Sequence, residues 1–111
     1  MPIEHPWVAL HIQWMGENDH TIWDDLKNDR NINDRKIDFA DLDGMFDGRF
    51  AIVTEDTRHD YGERRFNMLA GIGGLILNVT FTKRPPKNRI ISARIASRKE
   101  RRAYHAKSQD R

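Results

Sequence analysis

The chain has 111 residues, 38% hydrophobic and 32% charged, enough for one modest core under a heavily solvated surface. A mean hydropathy of −0.80, with no apolar run near the roughly 20 residues a bilayer span needs, excludes a transmembrane helix. Zero cysteines exclude a disulfide scaffold, a thiol nucleophile and Cys-ligated metal. The formal net charge of +2 hides a split: residues 1–63 carry six Lys/Arg against fifteen Asp/Glu, residues 64–111 thirteen against two. A basic half of this kind suits a polyanion; alternatively, acidic helices pair with basic strands inside one fold. Met1 to Leu10 holds Glu4 and no Lys or Arg, unlike a signal peptide, so a cytoplasmic protein without membrane association is expected.

In chain order, Trp7 to Trp14 lies between Pro6 and Gly16 and predicts a strand. Ile22, Trp23 and Leu26 sit three to four apart and predict a helix over Thr21 to Asn31. Asp38 opens a second short helix with Phe39, Leu42 and Phe46 on one stripe, ending near Asp47-Gly48. The period then changes to two, predicting strands over 49–55 and 64–69. Gly71-Ile72-Gly73-Gly74 predicts a tight reversal into a strand over 75–82. Pro85-Pro86 should break the ladder before the last strand, Arg89 to Ile95, where Ile91 and Ala93 oppose Ile90, Ser92 and Arg94. Ser97-Arg98-Lys99-Glu100 reads as a capping box that opens a final helix docked through Ala103 and Tyr104. The predicted fold class is α+β: an antiparallel β-sheet with N-terminal helices packed on one face and a short C-terminal helix, in one domain over 1–111.

Five histidines, at 5, 11, 20, 59 and 105, form no HExxH, and the glycines match no phosphate loop. No metal and no cofactor are expected. What remains is arginine. If Leu75, Leu77, Val79 and Phe81 face the core, Asn78, Thr80 and Thr82 face the open side, and by parity Arg65, Asn67, Ser92 and Arg94 join them. Guanidiniums, amides and hydroxyls on one open face suit a phosphodiester, because arginine makes bidentate phosphate contacts and stays charged. The competing reading is a set of ordinary strand residues paired with Asp and Glu. His59 is either a proton shuttle or an exposed loop histidine. Glu100 is either a base or only a helix cap.

Arg89-Ile90-Ile91-Ser92-Ala93-Arg94, with Ala96-Ser97-Arg98-Lys99-Glu100-Arg101-Arg102-Ala103-Tyr104, resembles the end of BrnT-type toxins. Trp23-Asp24, Lys27-Asn28, Asn31, Ile37-Asp38-Phe39 and Phe46-Asp47 resemble the family's opening pattern. His59 and Gly62-Glu63-Arg64-Arg65-Phe66 resemble its middle. The likeness covers about 22–104 and leaves 1–21 as an extra N-terminal segment. It departs at Thr82-Lys83-Arg84, where the family usually has Thr-Glu-Arg, and at the two prolines, which should lengthen the next turn.

The resemblance implies a RelE-like ribonuclease, the toxin of a type II toxin–antitoxin pair that cleaves mRNA and arrests translation and growth. The nucleophile would be the RNA's own 2′-hydroxyl, without a metal. The implied partner is a BrnA-like ribbon-helix-helix antitoxin in a heterotetramer of two toxins and two antitoxins, with operator DNA bound through the antitoxin. On this reading Arg65 and Arg94 hold the scissile phosphate with Arg98 nearby, and His59 and Glu63 are candidates for proton transfer. Lys99, Arg101, Arg102, Asn78 and Thr80 would contact RNA. The alternatives are a non-catalytic nucleic-acid-binding module on the same basic surface, or a degenerate toxin that only binds antitoxin.

Overall fold

The computed structural model describes residues 15–110, so the strand expected over Trp7 to Trp14 lies outside the described residues. Six strands form one sheet: β1 (Met15–Glu17), β2 (Thr21–Asp24), β3 (Ala51–Asp56), β4 (Arg65–Ile72), β5 (Leu75–Arg84) and β6 (Lys87–Ile95), in the order β1-β2-β6-β5-β4-β3. Helix α1 (Asp25–Arg35) follows β2, two 3-10 turns (Phe39–Asp41 and Asp43–Phe46) lead to β3, and α2 (Arg98–Gln109) ends the described chain. No helix among the described residues is long and apolar enough to cross a membrane.

The α+β class holds, but the order of elements and the sheet type differ from expectation. Thr21 to Asp24 is a strand and not the first turn of a helix, as its β-branched Thr21 and Ile22 and aromatic Trp23 favour. It runs antiparallel to β1 and parallel to β6, with Thr21 opposite Asn88 and Trp23 opposite Ile90. The sheet is therefore mixed, and its first strands precede the helices. Gly16 sits opposite Trp23, and any Cβ there would meet the indole at 2.1 Å. Helix α1 starts one residue later because the Asp24 carboxylate accepts from the Leu26 and Lys27 amides at 2.9 and 3.2 Å.

Asp38 opens its element as expected, its carboxylate accepting from the Ala40 amide at 2.9 Å. The element is not one helix but a pair of 3-10 turns that meet at Leu42. Phe39, Leu42 and Met45 are fully buried and cover one sheet face against Met68, Ala70, Leu77, Val79, Phe81, Ile90 and Ala93. Burial of a Phe or Leu of this kind is worth about 1.5–3 kcal/mol each.

Two expectations about the turns and register meet different fates. Gly73 and Gly74, with φ of +56° and +82°, make the tight β4–β5 reversal. Pro85 and Pro86 do not break or lengthen the β5–β6 connection: they are the two-residue turn itself, with Arg84 paired to Lys87 and a cis bond between the prolines. Strand β6 shifts register between Thr80 and Phe81, whose partners are Ser92 and Ile90, so Ile91 is an extra residue. That bulge puts both Ile90 and Ala93 in the core, which strict alternation forbids, and leaves Ser92 and Arg94 on the other face.

Helix α1 packs beside β6 by an unusual side. Its buried residues are Asn28 and Asn31, while Leu26 is 53% exposed and Ile32 37%. Asn31 accepts from the Ala93 amide at 3.1 Å and donates to the Ile37 carbonyl at 3.0 Å; Asn28 accepts from the Phe39 amide at 2.8 Å and donates to Asp38 at 2.9 Å. Beyond Ile90, where β2 no longer pairs with it, β6 thus has a backbone donor satisfied by a side chain of the helix. Helix α2 lies across the opposite face from the 3-10 turns: the Tyr104 ring meets Phe50 edge-on at 5.3 Å, and its hydroxyl sits above Gly71.

Candidate functional site

The face opposite the core carries a cavity of about 390 Å³. Its floor comes from the sheet, through Asn67 of β4, Asn78 and Thr80 of β5, and Ser92 and Arg94 of β6. Its walls are Glu100 from α2, Arg58 from the β3–β4 loop and Arg35 from the end of α1. Alternation in β4 and β5, together with the bulge in β6, is what brings these polar groups to one side.

Each of two cavity guanidiniums is held by its own carboxylate. Glu100 takes Arg94 in a two-pronged pair, at 2.7 Å to Nη1 and 2.9 Å to Nη2. The same carboxylate accepts from Asn78 Nδ2 at 2.8 Å and from the Ser97 amide at 2.8 Å, closing a capping box with Ser97. Four donors saturate it. They hold its pKa down to about 2 against the opposing effect of burial, with Arg94 the largest cause, and Arg94 is raised in turn. Glu100 is thus both the helix cap of the sequence reading and an arginine positioner, and it is poorly suited to accept a proton.

Across the cavity, buried Asp56 grips Arg58 at 2.9 Å to Nε and 2.8 Å to Nη2, and accepts from the Tyr61 hydroxyl at 3.1 Å. The Arg58 bonds push Asp56 well below the usual carboxylate range, and Asp56 raises Arg58. The Arg58 charge pulls the Arg94 pKa the other way, so the two cations stand close enough to repel. Glu100 on the cavity wall and buried Asp56 fix the two guanidiniums against that repulsion, and an anion in the polar space between them would relieve it. Thr80 donates to Asn67 at 2.8 Å, setting the orientation of the remaining amide.

The expected residues do not all converge here. Arg94, Asn78 and Thr80 line the cavity; Arg65, Arg98, His59 and Glu63 do not. Arg65 lies with its guanidinium 4.2 Å from the Tyr61 ring centroid and 3.4 Å from Glu63, so it touches the cavity only through Tyr61, Asp56 and Arg58. Glu63 is engaged mainly by Arg84, at 2.6 Å, and has a lowered pKa for that reason. His59 is exposed and meets Tyr61 edge-on at 5.6 Å. Arg98, Lys99, Arg101 and Arg102 are exposed on the first turns of α2, with Arg101 donating to the Ala96 carbonyl.

Sequence reasoning missed Arg35 and Arg58. For Arg58 a local signal existed, since Asp56 and Arg58 stand two apart at the end of a strand and the backbone amide of Arg58 also turns onto Asp56 at 3.2 Å. Arg35 offered none, because it enters the cavity only through the docking of α1.

A family model described as the ribonuclease toxin BrnT of type II toxin–antitoxin systems matches residues 23–100. The chain belongs to the BrnT family. The BrnT match opens in β2, closes on Glu100 and takes in every residue that lines the cavity; most of α2 lies beyond it. Membership makes this a ribonuclease toxin with an antitoxin partner. No curated protein matches the chain.

Proposed function

We propose that the cavity holds the scissile phosphodiester of mRNA, which the protein cleaves without a metal, arresting translation. The RNA's 2′-hydroxyl attacks the adjacent phosphorus, the 5′-oxygen leaves, and the products are a 2′,3′-cyclic phosphate and a 5′-hydroxyl. Arg58 and Arg94 take the non-bridging oxygens, whose charge grows in the transition state, and Asn78 and Thr80 orient the nucleotide. Glu100 and Asp56 act as positioning residues. Of the two candidates for proton transfer, His59 is the one whose side chain is outside the ion pairs.

The observation that carries the reading is the Arg58–Arg94 pair, each held by its own carboxylate and both lining one polar cavity, inside the span that matches a ribonuclease family. The antitoxin is taken to be a BrnA-like ribbon-helix-helix dimer, giving two toxins and two antitoxins and reaching operator DNA through the antitoxin. The test is cleavage of a defined RNA in excess EDTA, beside the same RNA carrying a 2′-deoxy sugar at the cut position. Persistent cleavage of the first and none of the second is expected. Loss of activity in EDTA that magnesium restores would contradict the mechanism.

A further inference from the structure

A second cavity, of about 190 Å³, adjoins the first and shares two of its lining residues, Arg35 and Ser92. The second space lies where α1 runs alongside β6. Lys27, Arg30, Asn31 and Asp34, spaced three, one and three residues apart, bring one helix side to it. Asn31 is committed to the Ala93 amide and Ile37 carbonyl, so its role is to fix the helix at this edge. Lys27, Arg30 and Arg35 differ from most cations of the sheet and its loops. Arg49, Arg58, Arg64, Arg65, Arg84, Lys87 and Arg94 are all ion-paired, whereas these three have no carboxylate partner among the described residues. Asp34 is the one carboxylate on the lining of the second space.

Three cations without a carboxylate partner among the described residues, along a cavity that adjoins the first, have the layout of a single-strand track. We propose that Lys27 and Arg30 form a second phosphate subsite, which holds the neighbouring stretch of the RNA strand as it passes over Ser92 and Arg35 to the helix. This inference rests on the reading that the first cavity holds the scissile phosphodiester. Its consequence is a preference for RNA longer than the first cavity alone can hold. The contacts are to the backbone, so the subsite adds affinity and direction but no base preference.

The test uses the full chain and a 12-nucleotide RNA with 2′-O-methyl sugars throughout, which binds without being cut, beside a trinucleotide of the same chemistry. Binding is measured against salt for the unmodified protein, for Lys27→Gln with Arg30→Gln, and for a charge-matched control, Lys83→Gln with Lys107→Gln. Each neutralised phosphate on a single strand contributes about 0.7 to the slope of log affinity against log salt, so the first double variant should lose about 1.4. It should also lose the advantage of the 12-mer over the trinucleotide, while trinucleotide binding and the control pair stay as in the unmodified protein. Lys27 and Arg30 are exposed, so folding should persist; the single variants, each losing about 0.7 from the slope, give the same answer if the pair misfolds. An unchanged slope, an equal loss in the control pair, or loss of antitoxin capture with intact RNA binding would overturn the subsite. Failure of the unmodified protein to bind the 12-mer would instead remove the phosphodiester reading on which it depends.

Discussion

At the scale of single residues, the site is built from arginines whose positions are set by their carboxylate partners. Glu100 sits at the centre of this arrangement, serving Arg94, Asn78 and the start of α2 together. Its folded pKa of about 2 lies below its ordinary 4.5, so its stabilising contribution is complete above pH about 4.5 and fades as the pH falls toward 2. Glu100→Gln should therefore flatten the acid limb of the unfolding midpoint against pH; an acid limb as steep as in the unmodified protein would show that the carboxylate is not engaged this way. Asp56 and Asp47 also have depressed pKa values, so the comparison between the two proteins carries the test and the shape of either curve alone does not. Arg65→Ala should weaken RNA cleavage far less than Arg58→Ala, because Arg65 is stacked on Tyr61 and only Arg58 faces the cavity; equal losses measured on one RNA would refute that ordering. Sequence parity correctly brings Asn67, Asn78, Thr80, Ser92 and Arg94 to one face, since alternation within a strand is a local property. Parity also places Arg65 there, but which neighbour captures a long side chain depends on a loop, and Tyr61 belongs to that loop.

At the scale of elements, α1 shows where hydrophobic periodicity misleads. Ile22, Trp23 and Leu26 have helical spacing, yet the first two belong to a strand and Leu26 points to solvent. The helix docks instead through two buried asparagines, which close hydrogen bonds that the edge of β6 and the start of the 3-10 turns leave open. A polar docking face has no periodic signature, so neither this face nor the parallel β2–β6 pairing was legible. The β4–β5 hairpin was, because Gly73-Gly74 and the alternation of 75–82 are local. The bulge at Ile91 was not, because an extra residue looks like any other until its partner strand is known. Asn31→Ala should destabilise the fold by about 1–3 kcal/mol by leaving the Ala93 amide unpaired, whereas Leu26→Gln should stay within about 0.5 kcal/mol. Denaturant unfolding of the two variants decides between polar and apolar docking, and a larger loss for Leu26→Gln would reverse the account.

At the scale of the whole molecule, the charge split is balanced by ion pairs within the fold in some places and leaves cations without a carboxylate partner among the described residues in others. Glu17 with Lys87, Glu55 with Arg64 and Glu63 with Arg84 join the acidic half to the basic half within the fold. Arg98, Lys99 and Arg102 on α2 and Lys27, Arg30 and Arg35 on α1 have no such carboxylate partner among the described residues; Arg35 lines the cavity, and Lys27 and Arg30 line the one beside it. If RNA is cut on this face, as proposed, the toxin needs a partner able to cover it, and the BrnT family has an antitoxin. Co-expression with a ribbon-helix-helix antitoxin should give a heterotetramer with two 13.1 kDa toxin chains, read by light-scattering mass; a one-to-one pair would contradict the dimeric antitoxin. The central claim, that RNA is cut in the cavity between Arg58 and Arg94, meets its most direct test in the single-turnover cleavage rate of Arg94→Ala in EDTA. Removing one preorganised charge from the reacting group costs on the order of 2.7–4 kcal/mol, so the rate should fall by about 10²–10³ in a folded protein. A folded Arg94→Ala that cuts RNA within a few-fold of the unmodified rate would place the chemistry elsewhere.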